Sequence, residues 1–316
     1  MRRCPCYSDE MKARDWGLLL LLSLMWGGTF FFYKVLDDAG LPALTLVLGR
    51  VGIASLALLP VVWLRKLQLP RHLGDWTPYV FIALTNNVIP YLVFASCETQ
   101  ISSGLASVVN ATTPIFTAIV AHVRTKDERF SLNSIAGISL GFIGIIVLVG
   151  PDVVHRLNLA SVAQIACFIA PVCYGFAAVN GRRFRGSSPI VVSTCQLIVS
   201  TIVLLPFELI IDKPWTLPMP TAATWAAMLG MAIVATSAAY IVYFALILYA
   251  GAVNASLVTL LVPPVALILG GLFLHEHLGW GMFAGMALIL VGLIALDGRL
   301  TKLVRHSRLL ESINAS

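Results

Sequence analysis

Apolar residues run along this chain in long blocks, with polar residues confined to short gaps between them. Bounding the blocks by charge, Pro or Gly predicts helical spans at 16–36, 43–63, 76–95, 102–123, 132–150, 160–180, 189–211, 224–248, 252–274 and 279–296. A helix needs about 20 apolar residues to cross the hydrocarbon core of a bilayer, and each block approaches that length. The expected fold is all-α and integral to a membrane, with ten spans. The first block is too long for a signal peptide, ends in Phe30, Phe31, Phe32, Tyr33 and Lys34 rather than small residues, and is followed by nine more, so it reads as a retained helix.

Composition agrees. Hydrophobic residues make up 59% of the 316 and charged residues only 11%, with a mean hydropathy of +0.90. A water-facing surface needs about a quarter of its residues charged, so a soluble domain of any size is excluded. Cys97, Cys167, Cys173 and Cys195 fall in or beside apolar blocks and read as small apolar residues, not as a disulfide framework. Cys4 and Cys6 are two ligands alone, and His275 and His277, at i and i+2, do not share a helix face. No metal and no cofactor is expected.

The basic residues set an orientation. Of 21 Lys and Arg, 17 fall on one side of the predicted spans, two (Arg156 and Lys213) on the other, and two (Lys34 and Arg50) within spans. By the positive-inside rule both tails, 1–15 and 297–316, face the cytoplasm. The net charge of +6 then follows from topology and implies no nucleic-acid partner.

The two halves match each other. At an offset of 148, Trp26-Gly27 falls on Tyr174-Gly175, and Gly137 and Gly144 fall on Gly285 and Gly292. With a drift of one or two residues, Pro42 meets Pro189, Leu59-Pro60 meets Leu205-Pro206, Trp76 meets Trp225, and Tyr91 meets Tyr240. Two five-helix copies, 16–150 and 160–296, follow; an odd number of crossings makes the second enter from the opposite side. The basic 124–129 loop, set against His275-Glu276-His277, fits that inversion. Inverted copies can exchange inward-open and outward-open shapes at little net cost, which points to a transporter of a small molecule; duplication for the sake of a stable bundle is the plainer alternative.

The residues also resemble a known family. Trp26-Gly27-Gly28-Thr29-Phe30, Lys34, Arg50, Gly104, Pro114-Ile115-Phe116, Glu128-Arg129 and Gly137 are similar to the EamA-type repeat of the drug/metabolite transporter superfamily, and Tyr174-Gly175, Pro263, Glu276 and Gly285 repeat it. Pro114 to Glu128 spans 14 residues against 13 from Pro263 to Glu276, the usual spacing, so the fourth span differs at its boundary. The resemblance implies a ten-helix exporter or facilitator of amino acids or other small metabolites and drugs, in a cell's inner membrane.

Ionisable and polar groups within spans are the candidates for the pathway. Lys34 either anchors at the headgroups or contacts substrate. Arg50 is deeper and either finds protein carbonyls or offers its fork to an anionic group; Gln196 is its repeat counterpart. Asn86, Asn87 and Tyr91 in the third span, and Asn110, Thr113 and Pro114 in the fourth, lie at mid-depth. Pro90, Pro114 and Pro263 are expected to kink their helices and free carbonyls on Asn86, Asn110 and Thr259. With Trp26, Tyr174, Tyr240 and Tyr243 these residues are expected to line a central pathway; the alternative is that they hold the helices together. Glu128 and Glu276 sit at helix junctions, where the resemblance places a glutamate; a carboxylate near a helix N-terminus is also simple capping. Gly137, Gly141, Gly281 and Gly285 allow close helix approach, within the chain or between copies in a homodimer. No phosphate-binding loop occurs and no carboxylate lies at mid-span, so facilitated diffusion, exchange and proton-linked export all stay open. An intramembrane enzyme acting on lipid-linked substrates is the rival reading, but it would gather His, Asp, Glu or Ser at one face, and the loops are instead basic.

Overall fold

The computed structural model describes residues 11–29, 32, 36, 39–97, 109–125, 132–149, 166–273 and 280–296. Lys34, Glu98, Glu128, Glu276, both flanking histidines, Cys4, Cys6 and most of both tails lie outside the described residues.

The described residues contain helices and no strand. In chain order they are α1 (Ala13–Gly27), α2 (Ala43–Leu64), α3 (built from Thr77–Ala83, Leu84–Val88 and Ile89–Cys97), α4 (Thr113–Arg124), α5 (Leu132–Val149), α6 (Ile169–Gly181), α7 (Pro189–Ile211), α8 (Ala222–Ala250), α9 (Val258–Phe273, led in by Ala252–Ser256) and α10 (Trp280–Leu296). Of these, α2, α7 and α8 are long and apolar enough to cross a bilayer by themselves.

The interior is apolar, as in a soluble protein, but the outer surface is apolar too and a set of polar side chains is buried. On α2 and α7 the outward positions are apolar, with Leu56 65% and Ile210 72% exposed, whereas Asn87, Gln196, Ser200 and Thr236 are fully buried. In water such apolar surface would drive association; against lipid it costs nothing, and the buried amides must find partners inside.

Packing follows the repeat. α2 of the first copy packs against α7 and α8 of the second, and α7 packs against α3 of the first. α1 packs on α8 and α9, and α6 packs on α3 and α4. α5 and α10, the last helix of each copy, form the most extensive pair. Their seam is antiparallel and two-fold: a Cβ on Gly144 would lie 2.8 Å from Ile289 N and 2.9 Å from Gly285 O, and one on Gly292 would lie 2.6 Å from Gly141 N and 2.7 Å from Gly137 O. The glycine face is thus occupied within the chain.

Several boundaries differ from expectation. The predicted fourth span is interrupted by a turn at Ala111 and Thr112, and α4 begins at Thr113. Pro114 therefore sits in the first turn of a helix, where its missing N–H is harmless, and does not kink one. The carbonyl of Asn110, expected to be free, accepts from Thr113 Oγ1 at 2.6 Å. The ninth span is broken similarly at Leu257, ahead of Pro263 and Pro264, which do lie inside α9. At Pro90 the helix accommodates differently: Leu84–Val88 is π-helical, and the N–H of Ile89 bonds to Leu84 O, five residues back. The frame slips by one residue just before the proline removes a donor.

The basic segments meet at one end of the bundle. The Arg14 guanidinium lies 3.8 Å from the ring centroid of Tyr249 near the end of α8, Arg124 lies beside Arg182, Arg183 and Arg185, and Arg71 shares a cleft with Ser187 and Ser188.

Candidate functional site

The π-helical segment of α3 has a twin. Ile233–Ala238 in α8 is also π-helical, 149 residues further on, and that is the offset relating Tyr91 to Tyr240. Each segment is met by a polar side chain from the second helix of the opposite copy. From α2, Arg50 donates through Nε to Thr236 Oγ1 at 2.7 Å and through Nη2 to the Ala235 carbonyl at 3.4 Å. From α7, Gln196 accepts from Asn86 Nδ2 at 3.0 Å, and Ser200 Oγ accepts from Asn87 Nδ2 at 2.8 Å. Ser237 Oγ adds a bond to the Ala54 carbonyl of α2 at 3.0 Å. A π-helix widens the turn and turns extra side chains inward, which is why adjacent residues such as Asn86 and Asn87 both face α7.

These contacts join an aromatic cluster. The Tyr240 hydroxyl donates to Asn87 Oδ1 and lies 3.0 Å from the Tyr91 hydroxyl. The Arg50 guanidinium stands 5.1 Å from the centre of the Tyr91 ring, a cation–π distance. Trp26 meets Tyr240 edge-on at 6.2 Å and Tyr243 at 5.3 Å. Arg50 is 5% exposed, so this charge is held inside the bundle by hydroxyl, carbonyl and ring.

The structure therefore brings together Trp26, Arg50, Asn86, Asn87, Tyr91, Gln196, Tyr240 and Tyr243 from α1, α2, α3, α7 and α8. Tyr174 is half-buried on α6, which packs against the π segment of α3, and Pro263 is buried on α9, which packs against α1. The hydrogen bonds of Asn110 and Thr113 are local to the start of α4. Of the pathway candidates, Gln196 Nε2 and Asn110 Oδ1 are buried polar atoms with no hydrogen-bond partner among the described residues. Such atoms cost free energy unless another shape of the protein, or a ligand, completes them.

Sequence reasoning missed Ser200, Thr236 and Ser237, because a hydroxyl in an apolar block looks the same whether it bonds its own helix or another. It also missed both ends of the α2/α7 seam. At the end remote from the arginines, Asp212 Oδ2 accepts from Thr45 N at 2.8 Å and from Thr45 Oγ1 at 2.9 Å, with Glu208 Oε1 at 3.5 Å. The N-cap residue of α2 is Pro42, which has no side-chain cap bond, so a carboxylate from the other copy supplies the cap. At the basic end, a cleft of about 470 Å³ opens between the α2–α3 and α6–α7 connections, with Tyr79 in its lining. Tyr79 stacks on Phe184 at 4.7 Å.

Comparison with known proteins identifies the architecture. The EamA-like transporter family matches residues 16–150 and again 161–296. An uncharacterized transporter, YoaV, of Bacillus subtilis is 23% identical over 87% of this chain and 94% of its own length. An uncharacterized transporter of Archaeoglobus fulgidus is 26% identical over 89% and 97%, and the uncharacterized inner membrane transporter YedA of Escherichia coli is 24% identical over 80% and 81%. One solved crystal structure superposes with a TM-score of 0.75 over 92% of this chain and all of that one, at 16% identity, a likeness of fold alone. With both halves of the chain matched in tandem, this protein belongs to the EamA-like transporter family of the drug/metabolite transporter superfamily.

Proposed function

We propose that the chain crosses the inner membrane ten times, with both tails cytoplasmic, and exports amino acids or other small metabolites by alternating access. The tails are 1–15 and 297–316, and the moving units are the two five-helix copies. The observation that carries the reading is the pair of matched crossings, in which α2 and α7 each reach over to a π-helical segment of the opposite copy. Two related halves joined by related contacts can rock between two shapes of similar energy. π-Helical turns suit such a joint, since they already depart from the most stable helical register.

The Thr45–Asp212 contact acts as the outer gate and the Tyr79–Phe184 stack as the inner one, with the polar cluster between them. Gln196 Nε2 and Arg50 supply donors there, and Trp26, Tyr91, Tyr240 and Tyr243 supply faces for an apolar side chain. A carboxylate-bearing metabolite with an apolar body fits this lining. Asn110, Thr113, Pro114, Tyr174 and Pro263 flank the same path on α4, α6 and α9. Binding and two-state motion suffice for this function, so no covalent chemistry and no cofactor is assigned.

The test is a growth-inhibition panel of amino acids, nucleosides and antimetabolites in cells lacking or overproducing the chain. Resistance to one chemical class is expected, lost in Arg50→Ala at equal membrane abundance. Unchanged sensitivity to every compound, with no difference in their cellular retention, would overturn export.

A further inference from the structure

We propose that the cleft beside the Tyr79–Phe184 stack is a loading site for a small zwitterion, a free α-amino acid, held there before it passes into the central path. The proposal rests on the export reading, to which it adds the first point of contact. At about 470 Å³ the cleft has the size of a small-molecule site. Its wall from the first copy is the α2–α3 connection, pinned by a bond from Trp76 Nε1 to the Pro70 carbonyl at 3.2 Å. Its wall from the second copy is the start of α7, and both walls are described throughout. A ligand seated between them touches both copies at once.

Tyr79 points to a ligand first. Its ring packs on Phe184 at 4.7 Å and Trp76 at 6.1 Å, it is 8% exposed, and its hydroxyl makes no hydrogen bond among the described residues. A hydroxyl on so buried a side chain costs free energy until a group in the cleft completes it. The helix start beside it is incomplete as well. Ser188 is the N-cap of α7 and makes no side-chain cap bond, so the first-turn N–H groups and the Ser187 and Ser188 hydroxyls remain to be satisfied. The repeat shows what such a helix start takes. Pro42, 147 residues before Pro189, begins α2, and there the Asp212 carboxylate from the end of α7 bonds Thr45 N and Oγ1. At the basic end the residue matching Asp212 is Arg65, and among the described residues no carboxylate caps α7. A ligand carboxylate supplies that group. The other end of the ligand is set by charge. Arg71 and Asp75 are the only Lys, Arg, Asp or Glu in the lining, and among the described residues they form no ion pair, with each other or with any other group. Opposite charges that border one cleft without closing on each other are bridged by a molecule bearing both. Its carboxylate belongs at the α7 start with Arg71, and its ammonium at Asp75; a plain anion would meet Asp75 as a repulsion.

The test uses the full chain purified in neutral detergent, with thermal unfolding followed by tryptophan fluorescence. L-Leucine, L-threonine and L-phenylalanine are added at about 10 mM, enough to fill a site of millimolar affinity, each beside the acid lacking its amino group and the amine lacking its carboxylate. Phosphatidylethanolamine, which carries a similar charge pair on a lipid, forms a further arm. At least one amino acid is expected to raise the midpoint by about 2 °C or more, and its two analogues by less than half as much. Arg71 and Asp75 are exposed, so their variants keep the fold. Asp75→Asn is expected to reduce the amino acid's effect to that of the acid analogue, and Arg71→Gln to that of the amine. Tyr79→Phe, which keeps the ring stack and loses the hydroxyl, is expected to shrink the rise. No rise with any amino acid, or a rise with phosphatidylethanolamine alone, would overturn the proposal. So would a rise unchanged in both Asp75→Asn and Arg71→Gln; if that rise is lost in Arg50→Ala, the amino acid sits in the central cluster, and the loading site fails while the export reading stands. None of these readouts requires transport, and export keeps its own test in the growth panel.

Discussion

The seam between α5 and α10 makes a sharp demand on two glycines. A methyl group added at Gly292 would lie 2.6 Å from a backbone nitrogen and 2.7 Å from a backbone oxygen, and one at Gly144 would lie 2.8 Å from a backbone nitrogen. Backbone cannot swing aside as a side chain does, so the helices must separate by roughly 0.6–0.8 Å to restore ordinary contact, a gap that forfeits a quarter or more of the dispersion attraction between facing atoms. In lipid that attraction is a main force holding apolar helices together. Gly144→Ala and Gly292→Ala should each destabilise the fold by about 2 kcal/mol, in the range seen for overpacking, or roughly a thirtyfold change in the folded-to-unfolded ratio. Because the two sites are related by the repeat, the costs should agree within about 0.5 kcal/mol. Gly281→Ala is the control: its added carbon meets Val147 O at 3.5 Å, an ordinary contact, and should be close to neutral. Reversible unfolding in mixed micelles at increasing denaturing detergent measures all three. A wild-type midpoint for either tight variant, or a large cost for one and none for the other, would refute the antiparallel two-fold packing.

At the central crossing, Asn87→Leu removes the bonds to Ser200 and from Tyr240 while keeping the branched side-chain skeleton, and should cost about 1–2 kcal/mol by the same unfolding assay, since Tyr240 keeps Tyr91 and Ser200 keeps the Gln196 carbonyl. A cost below about 0.3 kcal/mol would mean that the network holds nothing together. Joining the α2/α7 seam with Thr45→Cys and Asp212→Cys should stop export when oxidised and restore it when reduced; undiminished export by the cross-linked protein would exclude this contact as a gate. Lys213 ends α7 with a left-handed φ of 48°, so Lys213→Gly should stabilise by about 0.5–1 kcal/mol, and a loss of stability would show that its side chain matters more than its backbone.

That lysine also shows where sequence stops being informative. Lys66 and Lys213, 147 residues apart, both turn left-handed at the end of the second helix of their copies. Lysine carries no preference for that conformation, so only the shared geometry of the two copies reveals it. The paired π-helical segments are similar: Asn86 and Asn87 have no common sequence feature with Ala235 and Thr236, yet both stretches widen at matched depth. Arg50 stood out in the sequence as a charge among apolar residues, whereas its partners Thr236 and Ala235 did not. Pro114 was legible as a helix interruption and misleading as a kink, because its effect depends on whether the helix starts before or after it.

What the sequence determined by itself was the solvent, the tandem repeat, its family and the end at which the basic residues gather. Those follow from hydropathy, charge and internal similarity, which sum along the chain and need no partner. Tertiary structure decided which hydroxyl receives Arg50, which carboxylate caps α2, which glycines touch backbone and which arginines share a cleft. Each of those depends on two segments, most of them more than a hundred residues apart, being brought within a few ångströms, and lipid, which favours no one apolar face over another, leaves that choice to close packing and to the few polar groups that must be satisfied.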